Sequence, residues 1–338
     1  MWMLYGANGY TGELIAREAV ARGERPLLAG RSKEKIETLG RELGCETRVF
    51  DLDAIDLSGV SLVLHCAGPF LHTSAPMVRA CLSAGVHYLD ITGEIAVFEA
   101  ILARDREAKE RGVMLIPGAG FDVVPTDCLA AMLHAKLPDA NELWLAFSTK
   151  SGVSRGTLKT MIEGAGWGSA IRRDGKITRV PHLFDVREIP FSSGPRLATT
   201  IPWGDVSTAY HTTGIPNIRV YSAQSRKGLR QMRWMRPFLP LMKNDTIRRI
   251  ALKRAERTHG PSAERRARSR VELWGRVANT SGREITMTMT TAEGYDFTVL
   301  SSLEAVHEVL REATPGAWTP ARAFGPGFVT RFPGTVID

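Results

Sequence analysis

The run Leu4-Tyr5-Gly6-Ala7-Asn8-Gly9-Tyr10-Thr11-Gly12 constrains this chain more than any other stretch. A short apolar strand, Trp2 to Tyr5, leads into three glycines spaced three apart, and a helical pattern follows from about Tyr10 to Arg22. Strand, glycine turn and helix in this order can seat a diphosphate. Gly6 permits the tight turn, Gly9 lets the backbone approach a pyrophosphate, and Gly12 lets the helix pack close to the strand. The first-turn N–H groups and the positive end of the helix would receive the phosphates, with Asn8, Tyr10 and Thr11 completing the binding turn.

Strand and helix signals then alternate. Strands are expected at Pro26 to Gly30, Cys45 to Phe50, Ser61 to Cys66, Val86 to Ile91 and Val113 to Ile116. Helices are expected at Lys33 to Leu43, from Gly68-Pro69 to about Ala84, from Glu94 to Arg111, and from Thr126 to Leu137. Strands alternating with helices over short connections imply an α/β fold, a Rossmann-type doubly wound parallel sheet. The texture then changes. Leu143 to Phe147 reads as a strand, glycine-punctuated stretches follow, and Arg270 to Val277, Glu284 to Thr291 and Tyr295 to Leu300 read as three strands in series. Sequential strands with short turns suggest an inserted, largely antiparallel second domain. The expected division is 1–130 plus 301–338 for the nucleotide-binding domain and 131–300 for a substrate and dimerisation domain. A last helix, Ser302 to Ala313, would bring the tail back to the first domain.

The end of the second strand bears on the choice of cofactor. A chain that prefers NAD usually carries a carboxylate there for the ribose 2′-hydroxyl. Here the sequence is Gly30-Arg31-Ser32-Lys33. Arg31 can make charge-assisted bonds to a 2′-phosphate, with Ser32 as a further donor, so NADP(H) is the expected cofactor. Asp51, ending the third strand, either sits near the adenine or simply makes a strand-end turn.

Ligands of open parallel sheets bind beyond the carboxyl ends of the strands. Three further loops lie there. Ala67-Gly68-Pro69-Phe70 can approach the cofactor. Asp90-Ile-Thr-Gly-Glu94 carries two carboxylates, each either a proton donor or a helix cap. Gly118-Ala-Gly120-Phe121-Asp122 leads to Pro125-Thr126-Asp127, where a helix start is as good a reading as a ligand contact. His72 completes the catalytic candidates with Asp90 and Glu94.

Other chemistries are harder to place. No Tyr is followed four residues on by Lys, as short-chain dehydrogenases require. Cys128 lies on an apolar helix face and reads as core. The four cysteines are widely spaced with no CxxC, and the eight histidines form no cluster, so no metal site is expected and the thiols suit a reducing cytoplasm. The first strand begins at Trp2, so no leader is expected. Charge is uneven: residues 226–270 carry a local excess of +12, leaving −4 for the rest of a chain of net +8. Arginines there alternate with Trp234, Phe238 and Leu241, and Asn244-Asp245 heads a helix to about Arg257. Such a segment can lie on an anionic membrane surface, dock an acyl-carrier protein, or form a solvated dimer edge. Charge alone, with no known binding module around it, does not make a nucleic-acid site.

These residues also resemble a known family. Gly6 to Gly12, Ala29-Gly-Arg31, His65-Cys-Ala-Gly-Pro-Phe70, Tyr88 to Glu94, Pro117 to Asp127 and Thr319 to Gly325 stand in the order of the saccharopine dehydrogenase-like NADP-binding oxidoreductases, in particular the branch with trans-acting enoyl reductases. The resemblance implies a Rossmann domain, an inserted α/β domain and a homodimer. It leaves the substrate open. The expected activity is hydride transfer to or from a C=C, C=N or C=O bond of a hydrophobic or acyl-type small molecule. The alternatives are a saccharopine-type reductase of an amino-acid adduct and a non-catalytic nucleotide-bound scaffold or redox sensor.

Overall fold

The computed structural model describes residues 1–338. The chain opens with β1 (Trp2–Tyr5), α1 (Tyr10–Ala21), β2 (Leu27–Gly30), α2 (Lys33–Leu43), β3 (Thr47–Val49), β4 (Leu62–His65), α3 (Phe70–Ala84), β5 (His87–Asp90), α4 (Ile95–Leu102), α5 (Asp105–Glu110) and β6 (Met114–Ile116). Next come α6 (Val124–Lys136), β7 (Glu142–Thr149), α7 (Arg155–Ala165), β8 (Ser169–Arg173), β9 (Lys176–Val180), β10 (Val186–Phe191), β11 (Gly194–Thr200), α8 (Asp205–Thr213) and β12 (Asn217–Ala223). The basic stretch forms α9 (Arg226–Met235), a 3-10 turn over Arg236–Lys243, α10 (Asp245–Ala255) and α11 (Ala263–Arg268). The chain ends with β13 (Arg270–Ala278), β14 (Glu284–Ala292), α12 (Gly294–Arg311), β15 (Gly316–Ala317), α13 (Pro320–Phe324) and β16 (Val336–Ile337).

Contacts divide the chain into two units: Met1–Val124 with Tyr295–Phe324, and Pro125–Gly294 with Gly325–Asp338. The first unit contains a seven-stranded sheet in the order β15-β6-β5-β4-β1-β2-β3, parallel throughout. This is a doubly wound sheet whose order reverses between β1 and β4. Parallel strands covered on both faces must be apolar without alternation, and every residue of β1, β2 and β4 is buried. Helix α2 turns Ile36, Leu39 and Gly40 inward at helical spacing and stops at Gly44, whose φ of +63° suits glycine.

The second unit holds a mixed sheet in the order β10-β11-β12-β7-β13-β14-β16, with the β8–β9 hairpin attached to β12. Only β12 and β7 run parallel within it. In β14 the period-two pattern buries Met287, Met289 and Thr291. Helix α6 lies so close to β13 that a Cβ on Gly275 would stand 2.5 Å from Leu133 Cδ1.

Three expectations need correction. The helix expected from Glu94 to Arg111 is two helices. α4 buries Val97, Phe98, Ile101 and Leu102, and α5 restarts at Asp105, whose Oδ1 accepts from Ala317 N at 3.0 Å. The strand expected at Tyr295–Leu300 is the first part of α12. Its aromatic and β-branched residues suit a strand by composition. As a helix it places Thr298 Oγ1 2.9 Å from Phe121 N and Ser301 Oγ 2.9 Å from Ala119 O, satisfying the loop after β6. Finally, the tail stays with the first unit only to Phe324. Beyond it, β16 pairs antiparallel with β14 of the second unit.

Candidate active site

The glycine turn sits at the carboxyl end of β1. Gly6 adopts φ +84°, and its N–H donates to Ala29 O at 2.8 Å, tying the turn to β2. A Cβ on Gly6 would lie 2.7 Å from Ala67 N, and one on Gly12 would lie 2.3 Å from Gly6 O. Neither position can carry a side chain without moving backbone. Gly9, the residue that heads α1, brings no side chain to cap the first turn. A helix end shaped in this way suits an anion. Asn8 Oδ1 lies 3.1 Å from where a Cβ on Gly30 would be, so it reaches across to the end of β2. Tyr10 packs edge-on against Tyr295.

Beyond β2, Arg31 is exposed, and Ser32 heads α2 without spending its hydroxyl on the helix. Arg31 and Asp51 both act electrostatically on Tyr5, whose hydroxyl is pushed up to about 12, mainly by burial. Tyr5 stacks on Phe50, with ring centres 5.0 Å apart. Asp51 Oδ1 accepts from Leu52 N, which shapes the turn after β3.

The next two strand ends are joined by carboxylates. Glu94 stands at the head of α4 but does not cap it. Its oxygens accept from Phe70 N at 2.9 Å and Leu71 N at 2.8 Å, capping α3 instead. Asp90 is fully buried. It accepts from Tyr88 Oη, Thr92 N and Gly118 N, and it thereby binds the loop after β5 to the loop after β6. Burial pushes its carboxyl up to about 6 despite these donors. His65, at the end of β4, contacts Ala67 O and Thr73 Oγ1 through Nε2, and burial lowers its pKa to about 4. The neutral ring lies among Tyr5, Phe70 and Tyr88. Thr73 Oγ1 in turn donates to Ala67 O at 2.7 Å, so Ala67, Gly68 and Pro69 are held as one turn against the start of α3. His72 is exposed in the first turn of α3.

Asp122 differs from the other two carboxylates. It lies in the loop after β6, and its Oδ2 would be 2.7 Å from a Cβ on Gly93. Loss of hydration pushes its carboxyl up to about 7. Burial also holds the Cys66, Cys81 and Cys128 thiols protonated, which leaves them poor nucleophiles.

Residues 2–116, which supply β1 to β6 and the glycine turn, match the family of the saccharopine dehydrogenase NADP binding domain. The match is confined to this domain, about a third of the chain. Similarity extends to curated proteins. A putative trans-acting enoyl reductase of Mycobacterium tuberculosis is 32% identical over 180 residues, covering 48% of this chain and 43% of that protein. The saccharopine dehydrogenase-like oxidoreductase of Mus musculus is 31% identical over 202 residues, covering 51% and 47%. The chain thus spans about half the length of the curated relatives it matches. Among solved structures, apo saccharopine dehydrogenase (L-Glu forming) from Saccharomyces cerevisiae superposes with a TM-score of 0.65 over 100% of this chain and 99% of that one, at 11% identity, and so shares its fold.

The NADP-binding domain fits its cofactor by its own geometry. Gly6 and Gly12, barred from carrying a Cβ by close-packed backbone, hold the turn and α1 tight against the strand ends, the glycine-headed helix offers its first amides to a diphosphate, and the end of β2 carries Arg31 where an NAD-preferring chain has a carboxylate. The structure gathers the expected residues Gly6, Asn8, Gly9, Gly12, Arg31, Ser32, Ala67, Gly68, Pro69, Phe70, Asp90 and Glu94 at the carboxyl ends of β1, β2, β4 and β5. Asp90 and Glu94 carry positioning bonds there, but Glu94 caps the preceding helix α3 and not the helix that follows it, as the capping reading of the sequence had it. Asp127 accepts from Thr212 Oγ1 at 2.6 Å within the second unit, a structural bond. Asp122 was visible in the third loop but not distinguished from its neighbours. What sets it apart is its packing against Gly93, 29 positions earlier in the chain.

Proposed function

We propose that this protein is an NADP(H)-dependent oxidoreductase that moves a hydride to or from a polarised C=C, C=N or C=O bond, and that Asp122 supplies or takes the accompanying proton. Bound NADPH would supply the hydride. The protein has to hold the acceptor, exclude water and provide one titrating group. The observation that carries the reading is the placing of the Asp122 carboxyl, which stands in the loop after β6 against Gly93 of the loop after β5, at the strand ends of an NADP-binding sheet, where burial pushes it up to about 7. A carboxyl titrating near neutrality can both give and accept a proton. Gly6 to Gly12 would hold the diphosphate, and Arg31 with Ser32 the 2′-phosphate.

Glu94 and Asp90 position the site. Glu94 fixes the start of α3 behind Phe70, and Asp90 fixes the loop that carries Asp122. A hydrophobic or acyl-type acceptor is the favoured substrate class. Its support is the likeness to a protein named for enoyl reduction and the apolar Phe70 and Phe121 beside these loops. Titration with NADPH and NADH, followed by nicotinamide fluorescence, tests the cofactor. Consumption of NADPH with enoyl, imine and carbonyl acceptors tests the reaction. Tighter NADH binding would overturn the assignment of Arg31. Turnover that survives in Asp122→Asn with an unchanged pH profile would overturn that of Asp122.

A further inference from the structure

The second unit carries a face that the oxidoreductase reading does not use. Helices α9 and α10 and the 3-10 turn between them are well formed. Ser225 Oγ caps α9 through Gly228 N, and Asn244 Oδ1 caps α10 through Thr246 N and Ile247 N. Their apolar side chains nevertheless point outward. Trp234 is 73% exposed, Phe238 54%, Leu241 53% and Ile250 51%. The rings of Trp234 and Phe238 lie 5.7 Å apart, so they form one continuous ridge.

Exposed cations share these elements with the ridge. Lys227, Arg230 and Trp234 share one side of α9 at helical spacing. Arg233, Arg236, Arg249 and Lys253 are also exposed, and none of these six cations has a carboxylate within ion-pair distance. The only acid between Arg226 and Ala255 is Asp245, and it pairs with Arg248. A solvated helix needs no exposed tryptophan and phenylalanine at its turn. A nucleic-acid surface would place aromatics to stack on bases, whereas here exposed aliphatic Leu241 and Ile250 accompany them on the same stretch. Between α7 and α10 lies an open groove of about 470 Å³ lined by Leu158, Ile162, Met242, Ile247, Ile250 and Arg254.

We infer that this face docks on a bilayer surface rich in anionic phospholipid. Trp234, Phe238 and Leu241 enter the headgroup boundary, and the flanking lysines and arginines meet the lipid phosphates. Exposed aromatics between unpaired cations on a helix that is not long and apolar enough to cross a membrane suit binding in the interfacial plane. The inference does not depend on the proposed reaction.

Flotation of the full chain with vesicles of phosphatidylcholine, alone or with a third phosphatidylglycerol, tests it. Binding to the anionic vesicles should be about tenfold stronger or more, and raised salt should weaken it. The double variant Trp234→Ala, Phe238→Ala keeps every charge and should lose about tenfold in binding, with its circular dichroism and melting midpoint unchanged because both side chains are exposed. Equal recovery on neutral and anionic vesicles would overturn the inference, as would parent-like binding by the double variant. If that variant instead loses self-association and floats as the parent does, the face belongs to a second copy and the inference falls. It falls equally if an acidic acyl-carrier protein binds this face while vesicles are ignored.

Discussion

Asp122→Asn removes one ionisation and little else, so its effect on stability can be worked from the structure. The Asp122 carboxyl moves from an ordinary 3.8 to about 7 on folding. Each unit corresponds to about 1.36 kcal/mol, so ionising this group in the folded chain costs roughly 4 kcal/mol at most. The residue is only partly buried, and water shares the charge, so an effect of about 1–2 kcal/mol is expected. The sign follows from the direction of the shift. Between pH 4 and 7 the folded chain keeps a proton that the unfolded chain has released. Wild-type stability therefore falls as pH rises through that window, and the loss is complete above 7. Asp122→Asn has nothing to release there. It should be more stable than wild type by about 1–2 kcal/mol at mildly alkaline pH, and the two should converge near the ordinary carboxyl range. Urea unfolding followed by circular dichroism across this range measures the difference. A gap that does not change with pH, or a wild type that is the more stable under alkaline conditions, would refute the partial desolvation assigned to this carboxyl. The same variant should bind NADPH as before and lose turnover by about 10²–10⁴-fold.

Arg31→Glu should weaken NADPH by about 1–3 kcal/mol and leave NADH unharmed, as read by calorimetric titration. Gly12→Ala places a methyl 2.3 Å from Gly6 O. It should displace α1 and abolish measurable NADPH binding while the far-ultraviolet spectrum stays folded. Glu94→Gln removes the charge that serves two amides of α3. A loss of about 1–2 kcal/mol in chemical denaturation is expected. His65 is neutral when folded down to about pH 4, whereas an ordinary histidine takes its proton near 6.5. The unfolded chain therefore gains the proton first, and stability should drop as pH falls through that interval. His65→Gln should flatten this acid limb in pH-dependent melting.

Much of the first unit was legible because buried parallel strands and glycine turns leave direct marks. Lys33 to Leu43 was read with the observed bounds, since an apolar spacing of three and four ends there at a glycine. The breaks are equally instructive. Nothing local in Glu94 to Arg111 reveals that Asp105 is drawn aside by a backbone amide more than two hundred positions away. Tyr295 to Leu300 has strand-like residues, but its Thr298 and Ser301 serve loop groups that only the folded chain brings near. The β8–β9 and β10–β11 hairpins lay within the glycine-punctuated stretch, where polar strands with exposed faces carry little periodic signal. At the site, residue types pointed to Asp90 and Glu94 because carboxylates near a nicotinamide invite an acid role. The structure shows their oxygens taken up by backbone amides and, for Asp90, by the Tyr88 hydroxyl as well. The distinction rests on hydration and partners, which residue type does not encode.

Glu94 closes a helix other than the one it introduces. Two neighbouring crossovers of the sheet therefore share a single fastening and respond as one mechanical piece. A shift that a bound molecule imposes on the β5 crossover must be transmitted to the ring of Phe70, because the same carboxylate cannot follow one loop without pulling on the other.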